Sequence, residues 1–188
     1  MKKYEMTNES IEFIGVKLFR IRALQDFRDV KAGDLGGYIE KEENLSQYGN
    51  AWVHGNARVH GDAEVYGNAR VYGNARVYGN AWVHGDAWVH GDAWVYGDAE
   101  VYGDARVYGN ARVYKNTHLL QIGAIGSRDG ITTFFRTKHK EIYVSCGCFT
   151  GDIEKFEKAV EEEHKGTKHE KTYKLAIELA KLQIDLED

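Results

Sequence analysis

From Ala51 onward the chain alternates small and large apolar residues on a strict six-residue period, Ala-x-Val-(Tyr/His)-Gly-(Asn/Asp). Eleven hexads run to Asn116, with alanine at 51, 57, 63, 69, 75, 81, 87, 93, 99, 105 and 111. Valine follows two places after each alanine, and glycine two places after that from Gly55 to Gly109; Lys115 is the one departure. Residues two apart on a strand point the same way, so each Ala and Val share one side, while residues such as Arg70 and Tyr72 take the other. Gly-Asn and Gly-Asp tolerate left-handed backbone and turn the chain. Strands this short, joined by identical corners, cannot build a hairpin sheet. They predict a coil with Ala and Val inside.

The pattern resembles the hexapeptide-repeat left-handed parallel β-helix, in which three hexads complete a triangular turn. That resemblance implies that residues 18 apart stack, about 4.8 Å from coil to coil. Leu45–Asn50 fits as a degenerate first hexad, which gives twelve hexads and four coils over residues 45–116. One outward face then carries Trp52, Arg70, Trp88 and Arg106, with His54, Tyr72, His90 and Tyr108 beside them. A second carries Arg58, Arg76, Trp94 and Arg112, with His60, Tyr78, Tyr96 and Tyr114. The third carries Glu64, Trp82 and Glu100, flanked by Tyr66, His84 and Tyr102. Two faces are cationic and aromatic; one is acidic.

Outside the repeats the periods change. In residues 1–44, apolar alternation over 11–14 and 16–21, parted by Gly15, predicts a β-hairpin, and the turn-rich 31–38 leads into the first coil. This segment is expected to cap the open end of the core. In residues 117–188, strands are expected at 119–125, 131–137 and 141–147, then a helix from about Asp152 with Ile153, Phe156 and Val160 on one stripe. A last helix, about 168–186, has two apolar stripes. Tyr173, Ala176, Ile177, Ala180 and Ile184 form one, and Leu175, Leu179, Leu182 and Leu186 another on the opposite side. A helix apolar on two sides must be covered on both, so a second chain is expected there.

Composition narrows the function. The 188 residues hold 21 glycines and no proline, which fits repeated corners rather than a linker. A net charge of −4 argues against a general nucleic-acid binder. The start of the chain lacks the apolar core of a leader, and no apolar run is long enough for a membrane span. Both cysteines fall in Cys146-Gly147-Cys148, so a reducing, cytoplasmic setting in a host cell is expected.

Candidate chemistry is sparse. Hexapeptide acyltransferases use a histidine base, but His54, His60, His84 and His90 occupy positions interchangeable with tyrosine and lack a completing loop. Cys146 and Cys148 with His164 or His169 lack the usual zinc-knuckle spacing, and no oxyanion donor accompanies a cysteine nucleophile. No catalytic residue, metal or cofactor is therefore expected. Arg128, in the turn 127–130, is a candidate anion contact. The strongest signal is the ladder residues Trp52, Arg70, Trp88, Arg106, Arg76, Trp94 and Arg112, because interfaces favour Trp, Tyr and Arg. Cation–π contacts are expected where Trp52 and Trp88 alternate with Arg70 and Arg106.

The order of segments, with Asp34-Leu35-Gly36-Gly37-Tyr38, the hexads, Ile125-Gly126-Ser127-Arg128-Asp129 and Ser145-Cys146-Gly147-Cys148-Phe149, resembles an uncharacterised hexapeptide-repeat family of phages and prophages. The resemblance implies a phage origin and brings no catalytic residues; with the aromatic and arginine ladders and the two-striped last helix, the expectation is a phage-type, non-enzymatic, self-associating scaffold, a trimer or dimer. Its further partner would be a host or phage protein or a small anionic ligand, and its role interference with bacterial antiviral defence. A hexapeptide-repeat acyltransferase and a structural virion component are the alternatives.

Overall fold

The computed structural model describes residues 2–187. Its hexads wind into a parallel β-helix of about four turns. Each x-Val pair, from Trp52–Val53 to Arg112–Val113, is a two-residue strand, β4 to β14 in order. Trp52 pairs with Arg70, Arg70 with Trp88, and Trp88 with Arg106, all in parallel register. The 18-residue stacking is thereby observed. Coils are joined by backbone bonds such as Trp52 N–H to the Ala69 carbonyl at 3.0 Å and His54 N–H to Val71 at 2.8 Å. Every repeat alanine and valine is 0% exposed, so the expected inside is the inside. The corners need glycine for a steric reason as well as a conformational one. At Gly85, with φ +70°, a Cβ would stand 2.8 Å from the Gly103 nitrogen one coil on.

The first hexad is only half in register. Its corner stacks as expected, with Asn50 N–H bonded to Gly67 at 2.8 Å and the Asn50 amide to Asn68 at 2.9 Å. Its strand does not: Leu45, fully buried, bridges Val65. Gln47, two places on, turns instead to the backbone of Lys3 and Tyr4. A polar glutamine cannot fill an apolar rung, and the larger leucine does.

The cap begins with the expected hairpin, β1 (Tyr4–Phe13) and β2 (Val16–Ala23). The turn-rich stretch leading into the first coil ends in a strand, β3 (Leu35–Ile39), antiparallel to β2 and parallel to Arg58–Val59. The hairpin thus extends one face of the helix into a seven-stranded sheet. Above the open end, Lys3 is buried and donates to the Ala51 carbonyl at 2.9 Å, while the Tyr4 hydroxyl donates to Leu45 at 2.6 Å.

At the other end four antiparallel strands follow, where three were expected: β15 (Leu119–Ile125), β16 (Gly130–Arg136), β17 (Ile142–Cys146) and β18 (Phe149–Asp152). The missed β18 is four residues long and leads directly into α1 (Ile153–His164), capped by Asp152. Helix α2 (Lys168–Gln183) completes the module, starting at Thr167, whose hydroxyl accepts from Glu170 N–H. Phe134, Val144, Phe156, Val160 and Ile177 form its separate core. Among the described residues no helix is long and apolar enough to cross a membrane.

Candidate functional site

A continuous array of aromatic and cationic side chains, half-buried beyond the buried Tyr38, lies on the face that β3 extends. Tyr38, Arg58, Arg76, Trp94 and Arg112 stand one above another in strand register. The guanidinium carbons of Arg76 and Arg112 lie 4.5 and 4.2 Å from the Trp94 ring centre. Phe13, at the apex of the β1–β2 hairpin, sets its ring 4.4 Å from Arg58 and 4.7 Å from Arg76. Three guanidiniums are therefore held against two rings, each contact contributing about 0.5–1 kcal/mol at an exposed site. Beside them His60, Tyr78 and Tyr96 stack in parallel with 5.0 and 4.9 Å between centres.

Charge on this face is left over. Among the described residues Arg58, Arg76 and Arg112 make no ion pair, whereas Arg20, Arg22 and Arg70 each meet a carboxylate. Arg112 donates to the Ala111 and Asp92 carbonyls at 2.8 and 3.1 Å, which fixes its plane without cancelling its charge. Burial lowers the pKa values of Arg76 and Arg112, with neighbouring arginines adding to the effect. Guanidiniums stay protonated regardless, so the face presents three half-buried cations without an ion pair, with Asp92 the carboxylate that acts on Arg76 and Arg112 from a distance.

The face of Trp52, Arg70, Trp88 and Arg106 is different, and half of it corrects the expectation. Residues 24–34 fold over its first two rungs. Trp52 is buried, with Tyr4 and Phe27 edge-on at 6.1 and 5.4 Å. Arg70 is buried too, gripped at both terminal nitrogens by Asp29 and bonded to the Tyr72 hydroxyl at 3.1 Å. Neither is available to a partner; both anchor the cap. Of the expected cation–π contacts here, Arg106 makes one, 5.1 Å from Trp88, and both residues are exposed. The column beside them is closed at its end by the C-terminal sheet, where Tyr108 donates to the Val144 carbonyl at 3.1 Å.

The third face carries Glu64, Trp82 and Glu100 as expected, with Trp82 and Tyr102 exposed. Here His84 sits between Tyr66 and Tyr102, and its Nε2 lies 2.7 Å from Glu100 Oε1. The remaining repeat histidines are plain members of ring stacks. Burial lowers His54 to about 4, with Arg70 contributing, and lowers His60 and His90 as well.

Arg128 is not part of any of these columns. It is exposed on the β15–β16 turn and lines a cavity in the C-terminal module. Cys146 lies in the same cavity, with Thr132 donating to its sulfur at 3.1 Å; Cys148 is exposed. Among the described residues no three His, Cys, Asp or Glu side chains gather to hold a metal. On α2, the stripe of Tyr173, Ala176, Ile177 and Ala180 is buried, whereas Leu175, Leu179 and Leu182 are 66%, 46% and 86% exposed; Leu186, expected in that outer stripe, lies past the end of the helix and packs half-buried against the module's own core.

Sequence reading passed over Phe13 and Asp29. Phe13 carried a signal, an aromatic beside the Ile14-Gly15 turn where no core position needs filling. Asp29 carried none, since its partner is 41 residues away.

The model of the YdcK β-solenoid repeat matches residues 63–76, 69–85, 75–91 and 105–121. The chain is also similar to the uncharacterized acetyltransferase YdcK of Escherichia coli (strain K12), 39% identical over 62 residues. That likeness covers 29% of this chain and 19% of the relative's length. The repeat matches fall in or beside the coils, and both likenesses support a hexapeptide-repeat β-helix family.

Proposed function

We propose that the protein is a non-enzymatic scaffold whose Arg58–Arg76–Arg112 column binds an acidic segment of another protein. The observation that carries this reading is the set of three guanidiniums braced on Phe13 and Trp94, none of which makes an ion pair among the described residues. Fixed planar forks favour carboxylates, because little side-chain entropy is lost when they are engaged. A fluorescein-labelled decaglutamate peptide is expected to bind, and to bind more weakly as salt rises. Arg76→Gln with Arg112→Gln should cost at least tenfold in affinity. Unchanged binding in that variant would sink the proposal.

The scaffold also pairs with a second copy of itself through the exposed leucine stripe of α2. Among the described residues, the charges left without an ion pair along that helix are basic at its start, Lys168 and Lys171, and acidic further on, Glu178. Two copies laid antiparallel bring these ends together. Two free thiols suit action in the cytoplasm. The phage setting, and interference with antiviral defence, rest on the resemblance in segment order; the binding reading stands without them.

A second reading is acyl transfer, favoured by the relative's name and by the contact between His84 and Glu100, the pairing that orients a general base. Acetyl-coenzyme A consumption with small amine acceptors tests it: turnover lost in His84→Phe would replace the non-enzymatic reading.

A further inference from the structure

The C-terminal module contains a cavity of about 380 Å³ between the β15–β16 turn, the β17–β18 turn and α1. That volume lies at the lower end of ligand pockets, about 300–1,000 Å³. It shares no residue with the arginine column. Ile125, Ile131, Phe149, Phe156 and Val160 line it with apolar surface. The aromatic wall is continuous, with Phe149 5.0 Å from Phe156 and Phe156 5.5 Å from Tyr173.

Its inner wall is fixed and already satisfied. Cys146 accepts from Thr132 and donates to the Tyr173 hydroxyl at 3.5 Å. That hydroxyl stands 1.8 Å from where a Cβ on Gly126 would be, so the turn closes onto Tyr173 only because residue 126 is glycine. Burial, followed by Cys146, raises the Tyr173 pKa, so that hydroxyl stays protonated at neutral pH. Two charged lining residues remain, Arg128 and Glu163, both exposed. Neither makes an ion pair among the described residues, although both border the same small space.

A cation and an anion lining one otherwise largely apolar cavity match a ligand that carries both charges and an apolar body. We propose that this cavity binds a free apolar α-amino acid, with Arg128 taking the carboxylate, Glu163 the ammonium group, and the Phe149–Phe156 wall the side chain. A simple carboxylate would meet Glu163 as a like charge, and a simple amine would meet Arg128.

Calorimetry on the intact protein with three probes tests this: L-phenylalanine, 3-phenylpropanoate, which lacks the ammonium group, and phenethylamine, which lacks the carboxylate. Phenylalanine is expected to bind at least tenfold tighter than either. Glu163→Gln should remove its advantage over 3-phenylpropanoate, and Arg128→Gln its advantage over phenethylamine. Both residues are exposed, so neither variant threatens folding. Ala159→Phe, which fills the chamber from α1, should abolish binding while the arginine column still takes the decaglutamate peptide. No binding of phenylalanine at millimolar concentration, equal affinity for all three probes, or an unaltered ranking in the two charge variants would each overturn the assignment.

Discussion

Trp52 and Trp88 stand in one column of the same face, two coils apart and in register through Arg70, yet Trp52 is 1% exposed and Trp88 38%. The repeat gives both the same local strand. What separates them is the cap, which lays Phe27 against Trp52 and clamps Asp29 on Arg70.

Identical substitutions in this column should therefore have different costs. Trp52→Ala removes a fully enclosed indole and is expected to cost about 3–5 kcal/mol. Trp88→Ala loses the Arg106 contact and a partly wet surface, and should stay within about 1 kcal/mol. Urea unfolding of the two variants decides. Equal losses would mean that residues 24–34 do not seal the face in solution.

Inside the coil, the stack leaves no room to adjust. Ala87 and Val89 are both 0% exposed, and their rungs are tied to the next coil by bonds such as Trp88 N–H to Ala105 at 2.8 Å. Ala87→Leu overpacks a rung and is expected to cost about 1–3 kcal/mol or more. Val89→Asp buries an unpaired carboxylate, and several kcal/mol would consume most of a small domain's margin. Loss of the β-sheet circular dichroism signal at 37 °C is the expected readout for Val89→Asp; wild-type melting would contradict the observed register.

The β-helix was legible because its determinants are local and repeated. Ala-x-Val sets the inward side, Gly-Asn or Gly-Asp sets the corner, and eleven copies leave one solution. The buried and exposed stripes of α2 were legible for the same reason, through a fixed helical period. Where two parts of the chain meet, the sequence was silent. Leu45 displaced Gln47 from its rung because the hairpin offered Gln47 backbone partners. Trp52 and Arg70 look like Trp88 and Arg106 in the repeat and were read as open, but a loop more than 20 residues away covers them. Asp29 and Arg128 each belong to a surface that no periodicity announces.

Two groups under the cap give opposite ends of the pH profile. Burial lowers His54 to about 4 from the ordinary 6.5. Between those values the unfolded chain binds the extra proton, so stability falls as the pH falls through that window. Burial also lowers Lys3, from 10.5 to about 8. Between 8 and 10.5 the unfolded chain again holds the extra proton, so this contribution to stability rises as the pH rises. Urea midpoints measured from pH 4 to 10 should show both slopes reduced one at a time, the acid one in His54→Phe and the alkaline one in Lys3→Met. A slope that survives its own substitution comes from another group.

Phe13 separates charge from rigidity in the arginine column. Phe13→Ala leaves the three cations in place but removes the ring shared by Arg58 and Arg76. Two contacts at about 0.5–1 kcal/mol each predict a several-fold weaker grip on the decaglutamate peptide, with the same dependence on salt. If affinity holds while Arg76→Gln weakens it, the ring contributes no preorganisation.

Self-association is decided on α2. Leu175, Leu179 and Leu182 project from the side opposite its buried stripe, and three leucines exposed by 66%, 46% and 86% on one helix face form a contiguous apolar strip. Nothing of this chain's own core reaches them, since Tyr173, Ala176, Ile177 and Ala180 already seat the helix on the module. Removing the strip should therefore dissociate copies without disturbing the fold. Leu179→Asp together with Leu182→Asp is expected to convert an oligomer into a species near 21.3 kDa by light scattering, with β-sheet circular dichroism unchanged. Lys171→Glu should weaken association more mildly, by placing like charges where the antiparallel helices overlap. A wild-type mass that stays at one chain across the accessible concentration range would end the self-association proposal. Unfolding of the double variant would show instead that the strip serves the monomer.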